Sequence, residues 1–81
     1  MRITMVCFGA MRDHLPADAS GNRAELELPE GATVEDAVDA LGAPRELVFS
    51  LLVDGTHAHL DHVLGEGSEV TLMPPFAGGT L

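Results

Sequence analysis

The most unusual candidate for chemistry in this chain is a stretch of main chain: Pro74-Pro75-Phe76-Ala77-Gly78-Gly79-Thr80-Leu81. Two prolines exclude a helix and remove two backbone donors, so the segment cannot continue the interior of a sheet. Beyond Ala77 no side chain appears until Thr80. Such a thin backbone is either a frayed terminus or main chain shaped to enter a narrow cleft in another protein. The chemistry open to a Gly-Gly end is that of its carboxylate. A carboxylate is a poor electrophile until one oxygen becomes a good leaving group, which ATP supplies by forming an acyl-adenylate. An enclosed adenylating site must press main chain against nucleotide, where a side chain near the reacting carbon would clash. Glycine removes that obstacle and permits the dihedrals required. A sulfur donor can then convert the adenylate to a thiocarboxylate, which is a transferable sulfide.

The remaining reactive side chains offer less. His57 and His59 sit two apart on a predicted strand and so share a face, with His62 close by. Two imidazoles on one face can start a metal site, but the spacing places no third ligand. Asp61 or His62 would need a favourable turn to supply it, so exposed or hydrogen-bonding histidines and no metal are expected. His14 stands alone. Cys7 lies in a predicted strand with no nearby cation or helix start to lower its pKa, which makes it a small buried hydrophobe rather than a nucleophile. As the single cysteine it cannot form an internal disulfide, and no Cys/His set has zinc spacing. A reducing, cytoplasmic setting fits. Ser20, Ser50 and Ser68 lie in no G-x-S-x-G context. Gly65 and Gly67 lack the lysine and the following helix of a phosphate loop. No self-contained active site emerges, which returns the question to the tail.

Composition narrows the partners. Eighty-one residues make one domain, and 46% hydrophobic content is too high for a disordered chain. Aromatic residues are limited to Phe8, Phe49 and Phe76, so the core must be aliphatic. Apolar runs are too short for a membrane helix, and Met1-Arg2 leads directly into an alternating segment unlike a signal peptide. Thirteen acids against four arginines and no lysine give a net charge of −9. That surface repels nucleic acid and anionic membranes, and it steers the chain towards a basic docking face. Without lysine the chain carries no side-chain amine for isopeptide bonding to itself.

The elements that must position the tail follow from the hydrophobic periods. Residues 2–8 alternate with Ile3, Met5 and Cys7 on one face and Thr4, Val6 and Phe8 on the other, a pattern suited to a central strand with a core face and a partner face. Gly9 to Leu15 predicts a short helical or turn segment stopped by Pro16. Residues 23–29 predict a half-buried strand with Leu26 and Leu28 inward and Glu25 and Glu27 outward. Thr33 is a natural N-cap, Glu35 and Asp36 suit a first helical turn, and Val34, Ala37, Val38 and Leu41 form one apolar stripe. Gly42 ends that helix and Pro44 prevents its resumption. Arg45 to Phe49 predicts one turn leading into a strand over Ser50–Asp54. Asp54-Gly55 marks a tight hairpin, Thr56–Leu60 a return strand, Asp61–Leu64 a brief helical turn, Gly65–Ser68 a tight connection and Glu69–Met73 the last strand. The first and last strands, both richly apolar, are expected side by side at the centre. The fold class is α+β, a ubiquitin-like β-grasp: a mixed sheet of four to five strands with one main helix packed across one face. The domain is expected over residues 1–75, with a flexible Gly-Gly tail over 76–81.

The chain resembles the MoaD/ThiS sulfur carriers, among them the small subunit of molybdopterin synthase and the thiamine sulfur carrier. The resemblance rests on Met5-Val-Cys-Phe-Gly-Ala-Met-Arg12, Pro29-Glu-Gly-Ala-Thr-Val34, Leu52-Val-Asp-Gly55, Leu64-Gly-Glu-Gly-Ser-Glu-Val70 and Met73-Pro-Pro-Phe-Ala-Gly-Gly79. It implies that Gly79, preceded by Gly78, bears the adenylate and then the thiocarboxylate. The protein would then be a carrier rather than an enzyme and bind no cofactor of its own. Its partners would be an E1-like adenylating enzyme that uses ATP, a sulfur donor and an acceptor synthase. The acceptor pathway would be biosynthesis of molybdopterin, thiamine, cysteine or a secondary metabolite. Here the sequence departs from the family's pattern, because Thr80 and Leu81 follow the Gly-Gly. Some relatives carry such extensions and are trimmed by a JAMM-type metalloprotease, so cleavage between Gly79 and Thr80 is expected. Phe8, Met73, Pro75 and Phe76 are the expected partner-binding patch beside the tail. The same acyl-adenylate would serve an amine as well as a sulfide, so the alternative is a ubiquitin-like modifier joined through Gly79 to lysines of other proteins.

Overall fold

The computed structural model describes residues 1–48 and 50–73. Among the described residues five strands form one mixed sheet: β1 (Arg2–Cys7), β2 (Arg23–Glu27), β3 (Ser50–Val53), β4 (Thr56–His57) and β5 (Glu69–Met73), in the order β2-β1-β5-β3-β4. The first and last strands lie side by side at the centre and run parallel, with Met5 beside Val70 and Cys7 beside Leu72. The other three pairings are antiparallel. Together with one α-helix this is the β-grasp architecture expected from the sequence.

Alternation decides what each face of the sheet meets. Ile3, Met5 and Cys7 of β1, Val70 and Leu72 of β5, and Leu51 and Val53 of β3 all point into one cluster. The helix α1 (Val34–Leu41) adds Val34, Ala37 and Val38, none of which keeps any exposed surface. Its apolar stripe lies at i, i+3, i+4, so one helical face matches one sheet face. A 3-10 turn over Gly9–His14 brings in Met11, also fully buried. Among the described residues the core is aliphatic apart from the sulfur-bearing Met5, Met11 and Cys7, whose flexible side chains adapt to the gaps between the branched ones.

The helix is closed at both ends by local chemistry. The Thr33 hydroxyl accepts a hydrogen bond from the Asp36 backbone N–H at 3.4 Å, and the Thr33 N–H donates to Asp36 Oδ2 at 2.9 Å. This is a reciprocal capping box with Asp in the place usual for Glu. Gly42 ends the helix in the left-handed region at φ 72°, where a Cβ would be strained. Two further orphan donors at the start, the N–H groups of Val34 and Glu35, bond to the carbonyls of His62 and Leu60 at 3.0 and 2.9 Å.

Those bonds account for two departures from the sequence expectation. The return strand does not extend over Thr56–Leu60: β4 stops at His57, and only Ala58 adds one more bond, to the Leu51 carbonyl. Residues 61–64 are not a helical turn. Val63 bridges Thr33, and Leu64 donates to the Ala32 carbonyl, so the segment runs alongside the approach to the helix. The chain leaves the sheet edge early because its carbonyls are needed at the helix start. Arg45–Leu47 forms a 3-10 turn, and Phe49 lies outside the described residues. Replacing Thr33 with Ala should lower stability by about 1 kcal/mol. A thermal melt should show this as a drop of roughly 4–8 °C. An unchanged melting temperature would show that the carbonyls of residues 60–62 suffice to hold the helix start.

Candidate functional site

The tail begins where β5 ends. Because β5 lies between β1 and β3, its last residue, Met73, stands at the middle of the sheet rather than at an edge. Val70 and Leu72 on this strand are fully buried, and Phe8 donates its N–H to the Leu72 carbonyl at 3.1 Å. The base of the tail is therefore held by bonds and packing on both sides. Pro75, Phe76, Gly78, Gly79 and Thr80 lie outside the described residues, as does the expected domain boundary at residue 75.

The second face of the sheet is left uncovered by the helix. One row crosses all five strands on that face: Arg23, Val6, Thr71, Leu52 and His57. The middle three are apolar or nearly so, while the ends are polar. One step towards the tail stand Phe8, Met73 and Ser50; Met73 pairs with Ser50, and Phe8 extends β1 beside Met73. Phe8 is 41% exposed, an unusual position for a phenylalanine in a chain with so few aromatics. Two residues of the expected partner patch, Phe8 and Met73, are thus brought together at the base of the tail. Leu52 and Thr71 extend the same face, which was hidden in the sequence because it depends on strand order; Val6, grouped with Phe8 by alternation, lies on that face but is almost fully buried.

Acids border this face and arginines pair with them. Arg23 bonds Glu69 at 2.6 Å across β1, and Arg2 reaches Glu27 at 2.7 Å and Glu25 at 3.7 Å. On the helix side Arg45 holds Glu35 at 2.6 Å and Asp39 at 2.9 Å. These pairs are solvated, so each contributes little stability, but they fix where the excess negative charge is displayed.

The other candidate groups are not assembled into a site. His57 ends β4 and His59 lies beyond it, so the shared strand face proposed for them does not exist. They line an open hollow of about 550 Å³ with Ser50, Leu51, Ala58 and Leu60. Among the described residues no three His, Cys, Asp or Glu side chains converge as a metal would require. Ser68 is buried, and its hydroxyl accepts the Gly65 N–H at 3.0 Å, which closes the Gly65–Ser68 turn. That structural role was not legible from spacing alone. Cys7 is fully buried, and loss of solvent pushes its thiol up to about 11.

A family model, ThiS family, matches residues 14–79. The chain belongs to the ThiS family. The matched region covers most of the β-grasp domain and ends on Gly79. Among solved structures the chain is similar to SAMP1 from Haloferax volcanii, with a TM-score of 0.70 and 25% identity over 93% of this chain and 96% of that one. A second crystal structure, of small archaeal modifier protein 1 from H. volcanii, matches with the same TM-score and identity. A putative molybdopterin converting factor, subunit 1, from Pyrococcus furiosus shares the fold, with a TM-score of 0.67 and 23% identity over 91% of this chain and 97% of that one. No curated protein matches the sequence. The chain thus has the ubiquitin-like β-grasp fold of these neighbours and the family of the small ThiS carriers. Among the described residues no helix is long and apolar enough to cross a membrane.

Burial of Cys7 has a measurable consequence. At pH 8 the folded protein should resist alkylation by iodoacetamide, and denaturant should expose the thiol. The thiol is neutral in both states below about 9, its ordinary value, so its burial costs nothing there. As pH rises from there towards about 11, the unfolded chain ionises while the folded one holds its proton, and stability must fall. Cys7→Ala should flatten this alkaline loss. Rapid alkylation of the native protein would show that the thiol is reachable.

Proposed function

We propose that this protein is a sulfur carrier whose working group is the carboxylate of Gly79, uncovered by removal of Thr80 and Leu81. The observation that carries this reading is that the ThiS family match runs up to Gly79 and stops there. An E1-like enzyme adenylates that carboxylate: a carboxylate oxygen attacks the α-phosphorus of ATP and pyrophosphate leaves. Sulfide-level sulfur from the donor, as hydrosulfide, then attacks the carbonyl carbon and displaces AMP, leaving a thiocarboxylate that an acceptor synthase consumes. Gly78 and Gly79 keep the approach to the nucleotide free of side chains. ATP belongs to the activating enzyme, and a JAMM-type protease is the proposed trimming activity. A reducing cytoplasm would keep both thiocarboxylate and Cys7 intact.

The carrier must present its tail without rearranging itself. The central position of β5 supports this, because the strand leading to residue 74 is fully hydrogen-bonded on both sides. The apolar surface that the helix leaves uncovered around Phe8, Leu52 and Met73 is one on which an activating enzyme can seat the domain while it holds the tail. Pro75 and Phe76 are assigned to the same contact by sequence.

A second reading has its own support in the similarity to SAMP1, which is named a modifier protein. In that reading Gly79 is transferred from the same adenylate, directly or by way of the enzyme, to lysines of target proteins. Lacking lysine, this chain could not be extended through its own side chains. Intact mass spectrometry of the protein from its native cell separates the readings. A species ending at Gly79 with oxygen replaced by sulfur supports the carrier. Lysine-linked adducts that survive denaturing purification support the modifier. Thiocarboxylation at Leu81 of unprocessed protein would overturn the assignment of Gly79.

Phe8→Asp tests the docking face. It should weaken the complex with the activating enzyme by about tenfold or more, as loss of an aromatic anchor does, with the far-UV spectrum retained. Unaltered binding would remove Phe8 from the interface.

A further inference from the structure

Independently of the tail, the structure leaves an open edge at β2. Just beyond its two ends, Leu28 exchanges hydrogen bonds with Met1, and the Asn22 carbonyl accepts from Cys7. By alternation Ala24 and Leu26 also turn their backbone groups towards β1, and Arg23, Glu25 and Glu27 turn theirs outward. Arg23 is already satisfied: its N–H and carbonyl exchange bonds with Ser20 at 3.1 and 2.9 Å. Among the described residues the N–H and carbonyl groups of Glu25 and Glu27 have no partner beyond the strand. An open pair of this kind is a template for another strand.

We propose that the outer edge of β2 is a strand-addition site for an extended protein segment with lysine or arginine at alternate positions. The charge pattern selects that occupant. Asp18 lies with Glu25, Glu27, Arg2 and Leu26 around a hollow of about 240 Å³ on this edge. Three acids face one arginine, whose guanidinium is already shared between Glu27 at 2.7 Å and Glu25 at 3.7 Å. Side chains of an added strand opposite Glu25 and Glu27 would lie among these carboxylates and are favoured when cationic. The intervening residue would lie on the Leu26 side, where an apolar group fits. The recognised pattern is therefore basic, apolar, basic. A second copy of this chain is the occupant the edge rejects. Antiparallel pairing of β2 with itself would set Glu25 and Glu27 of each copy against those of the other, and like charges directly opposed are destabilising. The site is two strands away from β5, so a segment bound here would not displace a partner on the tail.

The test uses the full-length chain and a blocked peptide alternating lysine with valine, with a glutamate–valine peptide as control. Saturable binding of the lysine peptide is expected, with amide hydrogen exchange at Glu25 and Glu27 slowed by about tenfold or more. The glutamate peptide should leave both amides unchanged. Glu25→Pro removes one outward N–H without touching the β1 ladder and should abolish binding with the amide spectrum preserved. Should that variant fail to fold, the double variant Glu25→Lys, Glu27→Lys should reverse the preference towards the glutamate peptide. No binding at millimolar peptide would overturn the proposal. So would binding without protection of these amides, or self-association that protects them in the absence of peptide.

Discussion

The parallel pairing of β1 with β5 is the constraint on which the rest of the molecule depends. It joins the first strand to the last described one, with β2 on one side of the pair and β3 on the other, so the chain must cross from β2 to β3 over a face of the sheet. A parallel pair cannot be closed by a hairpin and needs a connection that leaves the sheet, crosses a face and returns. Helix α1 provides that crossing, and its buried stripe of Val34, Ala37 and Val38 meets the face on which Met5, Cys7, Val70 and Leu72 are buried. Placing the last strand at the centre also determines where the Gly-Gly tail departs from the sheet. A tail continuing from an edge strand would depend on one neighbour, whereas residue 74 follows a strand held on both sides.

Much of this was legible in the residues because the periods are strong and the punctuation is chemical. Thr33 and Gly42 bounded the helix correctly, since capping depends on groups only three residues apart or on a single dihedral. The Asp54-Gly55 turn, with φ of 53° and 84°, followed from residue types that tolerate the left-handed region. What escaped was whatever depended on distant partners. His57 and His59 read as one strand face, but the carbonyls of Leu60 and His62 are drawn to the helix start, and the strand ends before His59. Val63 is isolated in the sequence and intelligible only beside Thr33. Ser68 looked like connecting material, yet its hydroxyl satisfies a part-buried N–H. In each case a backbone hydrogen-bond requirement elsewhere overrode the local period.

The candidate site divides in the same way. The end proposed to be reactive lies outside the described residues, and Gly78 and Gly79 mark it in the sequence alone, because the absence of side chains is itself a local property. The surface beside it was readable only in part. Phe8 and Met73 stood out by their position next to the turn and tail, but Val6 and Leu52 join them through Thr71 of β5, a register no single segment specifies. Val6 shows the difficulty most clearly: it is almost fully buried although it lies on the uncovered face. Burial alone would assign it to the core, and only the alternation with Met5 and Cys7 reveals which side it serves.

Charge ties the two faces of the argument together. With four arginines for thirteen acids, the chain cannot neutralise its surface, and it uses three of those arginines at Glu25 and Glu27, at Glu69, and at Glu35 and Asp39. The apolar patch is thereby left with a negative border, which repels a second copy while attracting a partner with a basic rim. A small domain with an uncovered apolar face and an open strand edge would otherwise be at risk of self-association. The same carboxylates that guard against this also define what can bind. Solubility and selectivity are thus two results of one imbalance, and the absence of lysine extends it to covalent chemistry: an activated tail would find no side-chain amine on another copy of the same protein.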